Sequence, residues 1–318
     1  MIPERGFDLR KKIQQVSIFG FGLMGAGIAQ ALATKGIPVR VLRNPDNSDS
    51  FPIIRRNLEI MAEEGAFDPN EMDNVLNRIT VYDDMETVVQ EADLIIECIP
   101  EDMAMKQHLF AQLDEICKPD TILASNTSVM SITQIASKAK NKNRIVGTHF
   151  WNPPYLIPLV EIVRTEFTDE EVVDTLFDFF TDMGKKPVKV AKDVPGFLAN
   201  RLQHALWREA ISIVEHGIAD AAAVDEAIKY SFGMRLPVLS PMENADMVGT
   251  DLTLSIHNYI LQHIESSTEP SPLLVAKVEA GDLGFKTGKG FQEWSKEDIA
   301  ASRERLIKYL IRVTKDNR

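Results

Sequence analysis

Short apolar runs punctuate the first two-thirds of the chain, and longer stretches with charge on one side lie between them. Residues 16–20, Val-Ser-Ile-Phe-Gly, read as a buried strand, and residues 26–35 follow as a helix that stops at Gly36. Further β-branched or apolar runs stand at 39–42, 78–82, 94–99, 121–124 and 145–148, and 160–164 and 187–190 extend the series. Residues 51–77 suit one or two charged helices. This alternation predicts an α/β fold with a doubly wound, mainly parallel sheet. The character changes near Asp193-Val-Pro-Gly196. A long helix is predicted over 197–216, with Leu198, Leu202, Ala205, Leu206, Ile213 and Val214 wrapped round it. Such a helix is buried on more than one side, inside a helical domain or at a subunit interface. Helices at 221–232, 251–263 and 296–315 follow, the last opened by a box-like Ser295 and Asp298. The expected organisation is a nucleotide-binding domain over 1–191 and an all-helical domain over 192–318.

Gly20-Phe-Gly22-Leu-Met-Gly25 lies where the first strand turns into the first helix. In that setting the spacing is the Rossmann fingerprint. The first glycine permits the tight turn, the second lets a pyrophosphate reach the backbone, and the third lets helix and strand pack closely. Gly20, Gly22, Leu23, Met24 and Gly25 are therefore expected at the phosphates of NAD or NADP, under the positive end of the helix. A glycine-rich turn in some other βαβ unit is the plainer alternative. The second strand ends in Arg43-Asn44, where an NAD site normally has an acid. A guanidinium pairs with a 2′-phosphate, and Ser48 and Ser50 offer hydroxyls, so this end of the site leans toward NADP. In the other reading, Arg43 stacks beside the adenine and NAD binds by its other contacts.

Three segments stand in order behind the fingerprint: Ser125-Asn-Thr-Ser128; His149-Phe-Trp-Asn152-Pro-Pro154 with Leu159-Val-Glu161; and Pro195-Gly-Phe-Leu-Ala-Asn200-Arg201. The combination resembles the L-3-hydroxyacyl-CoA dehydrogenase family over about residues 14–295. The resemblance implies NAD(P)-dependent oxidation of a 3-hydroxy acid or its CoA thioester, as in fatty acid metabolism. It implies His149 as the base, Glu161 as the carboxylate that holds it, and Ser128 and Asn200 at the substrate oxygen. It places Glu101, Lys106, Ser128, Asn152 and Lys286 at the cofactor, and it implies a homodimer joined through the helical domain. The run from Gly284 to Phe291 matches the family's closing motif.

The residues support part of this independently. Loss of a hydride from an alcohol requires loss of the hydroxyl proton, and an imidazole titrates near neutrality. Glu161 stands in an apolar run, where a carboxylate needs a partner, and the chain can fold back after Pro153-Pro154 to bring it to His149. Taken singly, His149 is also a structural histidine, Asn200 a local backbone partner and Ser128 a helix cap. Asn57 and Glu64 depart from the family, Glu64 standing where thioester-acting relatives have a CoA-facing lysine. Arg55 and Arg56 either compensate or form a solvated face. The run 152–161 is closer to a side branch that includes L-gulonate 3-dehydrogenase (lambda-crystallin) and L-carnitine dehydrogenase, which act on small free acids. Arg201 and Arg208 are candidate partners for such a carboxylate. Two alternatives remain: a dehydrogenase of similar layout acting on a 2-methyl-3-hydroxy acid or sugar nucleotide, which would centre on a lysine or cysteine rather than on His149 and Glu161, and a dinucleotide-binding or structural protein without catalysis.

The net charge of −12 over 318 residues argues against nucleic acid as a partner. Two cysteines, Cys98 and Cys117, lack CxxC spacing, so no metal site is expected, and Cys98 reads as a small core residue. The polar residues 1–12 do not resemble a secretory leader, and no apolar stretch approaches the ~20 residues of a membrane span. The cytoplasm is the expected location.

Overall fold

A computed structural model describes residues 13–43 and 49–316. Among them are the strands β1 (Val16–Phe19), β2 (Val39–Leu42), β3 (Ile79–Tyr82), β4 (Leu94–Glu97), β5 (Ile122–Ser125), β6 (Ile145–Phe150), β7 (Leu159–Arg164) and β8 (Lys186–Val190). They form one sheet in the order β3-β2-β1-β4-β5-β6-β7-β8. Every neighbouring pair is parallel except β6 and β7, which are antiparallel. β1 pairs with both β2 and β4, so the winding reverses there, and a crevice opens at the carboxyl ends of those strands.

The first seven helices are α1 (Leu23–Thr34), α2 (Phe51–Glu63), α3 (Met72–Asn77), α4 (Met85–Val89), α5 (Met103–Ile116), α6 (Ile132–Ile135) and α7 (Glu170–Asp182). Side chains of Asp84, Asp102 and Ser131 accept first-turn N–H groups and so start α4, α5 and α6. β1, β4, β5 and β6 are buried along their whole length, which is why they read as apolar runs rather than as alternating ones. Successive side chains go to opposite faces. Ile18 joins the core with Leu32, Ile54 and Leu176, whereas Phe19 joins Phe110, Leu113 and Ile135 on the other side.

The chain divides into two compact units. One contains the described residues up to Asn200 and those from Leu306 onward; the other is Arg201–Arg305. The first residues of α8 (Ala199–Glu215) stay with the first unit. The second unit holds α9 (Ala221–Lys229), α10 (Phe232–Arg235), α11 (Pro241–Val248), α12 (Thr250–Ile260) and α13 (Pro272–Glu279). The last helix, α14 (Lys296–Asp316), ends in the first unit, where Ile311 is wholly buried with Met61 and Leu156. The helix expected to be buried on more than one side is not so in the single chain: Leu202 of α8 is 68% exposed and Trp207 50%.

Candidate active site

Two strands build the centre of the site. β6 and β7 pair with His149 opposite Glu161, so both side chains leave the sheet on one face. The turn between them contains a cis Asn152–Pro153 peptide, and the N–H groups of Leu156 and Ile157 both close on Pro153 O at 3.0 Å. His149 Nδ1 lies 2.7 Å from Glu161 Oε2. With the carboxylate accepting from Nδ1–H, Nε2 carries the free lone pair and is the basic nitrogen.

Glu161 is fully buried and has four donors. Oε2 also accepts from Trp151 Nε1 at 3.2 Å, and Oε1 accepts from the N–H groups of Leu198 and Ala199 at 2.9 and 3.1 Å. Burial pushes this carboxyl up, but the bonds from His149, Ala199, Leu198 and Trp151 outweigh it and hold the group below the usual carboxylate range. The segment before α8 is thereby tied to the His149–Glu161 pair. Asn200 continues that segment and donates Nδ2 to Ser128 O at 3.0 Å. Ser128, His149, Glu161 and Asn200 are thus joined in one cluster by hydrogen bonds or through the Glu161 anchor.

A second network supports Ser128 from below. Glu101 accepts from Ser128 N at 2.9 Å and from Thr127 Oγ1 at 2.8 and 3.0 Å. Lys106, 1% exposed, places its ammonium 2.6 Å from Glu97 Oε1 and 3.5 Å from Glu101 Oε2. Ser125 Oγ donates to Glu97 Oε2 at 2.6 Å. Burial pushes the Glu97 carboxyl up, against the pull of Lys106, Ser125 and the Ile99 N–H. The ammonium of Lys106 is thus spent on the buried Glu97 and on Glu101, which, 43% exposed, is the member of this network that reaches the surface. Asn152 is exposed on the β6–β7 turn. Lys286 belongs to the second unit, in the loop where Gly284 N donates to Lys289 O at 2.7 Å.

The glycine turn has the shape the fingerprint requires. Gly20 has φ +105°, and a Cβ there would lie 2.6 Å from Cys98 O. A Cβ on Gly25 would fall 1.9 Å from Gly20 O, so strand and helix touch through their backbones. Gly22 faces open space, with nothing within 4 Å, and it starts α1 without a side-chain cap. The N–H groups of the first turn of α1 are thus left free for a phosphate, in a cleft of about 510 Å³ lined by Gly20, Gly22, Leu23, Met24 and Arg43. A dinucleotide fits this cradle, which a side chain on residue 22 would fill.

Two expectations for the 2′-phosphate meet a different arrangement. Arg43 is engaged with Asp83, and Ser50 donates its hydroxyl to Phe21 O. Ser48 and Asn44 lie outside the described residues. Glu64 is not a bare carboxylate either: Lys308 of α14 lies 3.7 Å away. Arg55 and Arg56 pair with Asp73 and with Glu59 and Glu63. In the second unit Arg208 donates to Ser267 O at 3.2 Å. The sequence reading missed Glu97, Ser125, Trp151 and Asp83. Glu97 was findable by the argument applied to Glu161, as a lone carboxylate in a buried strand.

The sheet, the glycine cradle at its switch point and the buried His–Glu pair define a dinucleotide-dependent dehydrogenase acting on a CH–OH group. Two family models match the chain, one described as 3-hydroxyacyl-CoA dehydrogenase, NAD binding domain, over residues 15–194, the other as its C-terminal domain over 196–294. The chain belongs to the 3-hydroxyacyl-CoA dehydrogenase family and is an NAD-dependent enzyme. A probable 3-hydroxybutyryl-CoA dehydrogenase of Bacillus subtilis is 39% identical, covering 90% of this chain and 99% of its own. The 5-formyl-3-hydroxy-2-methylpyridine 4-carboxylate 5-dehydrogenase of Mesorhizobium japonicum is 31% identical, covering 95% and 97%. A crystal structure of an enzyme of that activity, described as an NAD+ dependent dismutase, superposes with a TM-score of 0.84 at 31% identity, over 95% of this chain and 99% of that one. Mycobacterium tuberculosis FadB2 gives 0.73 at 35% identity, over 90% and 100%.

Proposed function

We propose that this chain oxidises the 3-hydroxyl of a small 3-hydroxy acid to the 3-oxo compound. The observation that carries the reading is the buried His149–Glu161 pair with Nε2 left free. His149 Nε2 takes the hydroxyl proton. Glu161 holds the ring and stabilises the imidazolium that results, as a carboxylate on the far imidazole nitrogen does in hydrolytic triads. Ser128 and Asn200 hold the substrate oxygen, and the Asn200–Ser128 bond fixes their spacing. Glu101, Asn152 and Lys286 serve the cofactor side, and Lys106 acts there by holding Glu101. Bound at the glycine turn, NAD supplies the hydride acceptor.

The choice of a free acid over a CoA thioester rests on α2. Its Ile60 and Met61 are packed against Ile307, Leu310 and Ile311 of α14, and Lys308 faces Glu64. One side of the helix that carries CoA-facing lysines in thioester-acting relatives is thus packed against another helix. The closer superposition on the pyridine-carboxylate enzyme supports the same choice. The thioester is the second reading, favoured by the activity of the Bacillus relative. Reduction of acetoacetyl-CoA with NADH separates them. The free-acid reading expects kcat/KM below ~10⁴ M⁻¹s⁻¹, the lower edge of ordinary enzymes; a higher value replaces it with the thioester reading.

The second unit supports a homodimer. Leu202, Trp207, Ile218, Met234, Leu254 and Tyr259 are each at least half exposed in the single chain, apolar side chains that a partner copy would cover. Sedimentation at micromolar concentration should give the mass of two chains, and the mass of one would remove the proposal. Both cysteines are free thiols, which suits a cytoplasmic setting, and burial pushes Cys117 up to about 11. Among the described residues, no helix is long and apolar enough to cross a membrane.

A further inference from the structure

The end of the second strand is where a fold of this kind places an acid for the adenine ribose. Here that position is Arg43, and its guanidinium is already held. Nε donates to Asp83 Oδ1 at 2.8 Å and a terminal nitrogen donates to Oδ2 at 3.3 Å, the two-pronged grip of arginine on a carboxylate. Strand pairing makes the meeting: Leu42 is in register with Tyr82, so Arg43 and Asp83 leave β2 and β3 side by side. Arg43 N–H donates to Tyr82 O at 3.2 Å and fixes the backbone there.

The groups around this pair are mostly acidic. Asp83 and, more weakly, Asp49 stabilise the Arg43 cation. Asp84 follows Asp83 and is turned away to cap α4 through Thr87. Arg40, the other cation of β2, donates to Thr87 O at 3.1 Å and lies over the Tyr82 ring. The Ser50 hydroxyl is taken by Phe21 O. Each side chain among the described residues that the sequence offered to a 2′-phosphate thus has another partner.

We propose that Asp83 is a specificity-determining residue of the cofactor site, which by neutralising Arg43 and repelling a 2′-phosphate makes the enzyme select NAD over NADP. A phosphate monoester carries about −1.5 to −2 charges at neutral pH. To use Arg43 it must break the carboxylate grip and leave Asp83 unpaired beside it. A ribose diol is neutral and meets no such repulsion. The proposal rests on the glycine turn being the dinucleotide site.

The test is equilibrium binding of NADH and of NADPH to the full chain, followed by cofactor fluorescence. The wild type should bind NADH at least ~10-fold more tightly, since 1.4 kcal/mol of differential interaction is tenfold. Asp83→Asn keeps the size and removes the charge; it should tighten NADPH binding about tenfold or more, with little change for NADH. Adding Arg43→Ala to Asp83→Asn should erase that gain, because the guanidinium is what the phosphate then reaches. Because the pair is solvent-exposed, these variants should fold, as an unchanged circular dichroism spectrum would show. Equal or tighter NADPH binding by the wild type overturns the proposal. So does an unchanged NADH/NADPH ratio in Asp83→Asn. Failure of both cofactors to bind the wild type removes the dinucleotide site itself, and the proposal with it.

Discussion

His149→Ala should lower kcat by about 10² to 10⁴, the usual contribution of a positioned base, while the protein still binds NADH. The ring sits on β6 and the glycine cradle lies at the start of α1, so removing the imidazole leaves the cradle intact. Stopped-flow turnover with a 3-oxo substrate, beside an NADH titration, reads both quantities. Turnover within threefold of the wild type would remove His149 from the mechanism. Glu161→Gln is the companion. An amide nitrogen facing Nδ1 shifts the imidazole proton to Nε2, and the base is lost without losing the ring. The same variant has a pH signature. Glu161 is held below the usual carboxylate range, so its ionised form stabilises the fold. That contribution is fully present above the unfolded value of ~4.3 and is lost as pH falls through the lower folded value. The Tm gap between wild type and Glu161→Gln should therefore hold from neutrality down to about pH 4.3 and close below it. A gap independent of pH would mean that the four hydrogen bonds do not favour the carboxylate.

Lys106→Ala should destabilise the first unit by about 3–5 kcal/mol at neutral pH, the usual cost of stranding one member of a buried ion pair. Glu97 is 0% exposed and Lys106 1%, and no solvent can replace the lost ammonium. Burial already pushes the Glu97 carboxyl up, so the variant should take up a proton there. A carboxyl raised in the folded state favours folding below its unfolded value and loses that advantage as pH rises through the folded one. The deficit of Lys106→Ala should thus be smallest in acid and grow toward neutrality. Removing both charges, Glu97→Leu with Lys106→Met, should restore much of the stability, because the unpaired charge is gone. Urea midpoints of the three proteins measure this. A deficit under about 1 kcal/mol for Lys106→Ala would show that water or another cation reaches Glu97.

Several elements were legible because their signals are local. The runs at 39–42 and 160–164 are strands within a residue of their expected ends, marked by their β-branched residues. Gly25 meets Gly20 O within one turn, and the Gly20, Gly22 and Gly25 spacing behind a strand can be read from the sequence. The return of Glu161 toward His149 was also readable, since the intervening prolines force a turn. α11 and α13 went unread, although each opens with Ser-Pro, a good helix start, because they span only eight residues each.

By itself, then, the sequence pointed to the βαβ unit with its glycine turn, the family, and Ser128, His149, Glu161 and Asn200 as the candidate site residues that the fold brings together. The first rests on periodicity and spacing along the chain, the others on the resemblance of three ordered motifs to those of the family. Tertiary structure alone decided what the charged side chains do. Arg43 reads as a phosphate ligand until β2 and β3 pair and set Asp83, 40 residues away, against it. Glu64 reads as a repelling carboxylate until α14 brings Lys308 to it. Lys106 reads as a cofactor contact until burial turns its ammonium to Glu97. A charge acts through whatever lies within a few ångströms, and those neighbours come from distant parts of the chain, which only the closing of the sheet and the packing of its helices bring together.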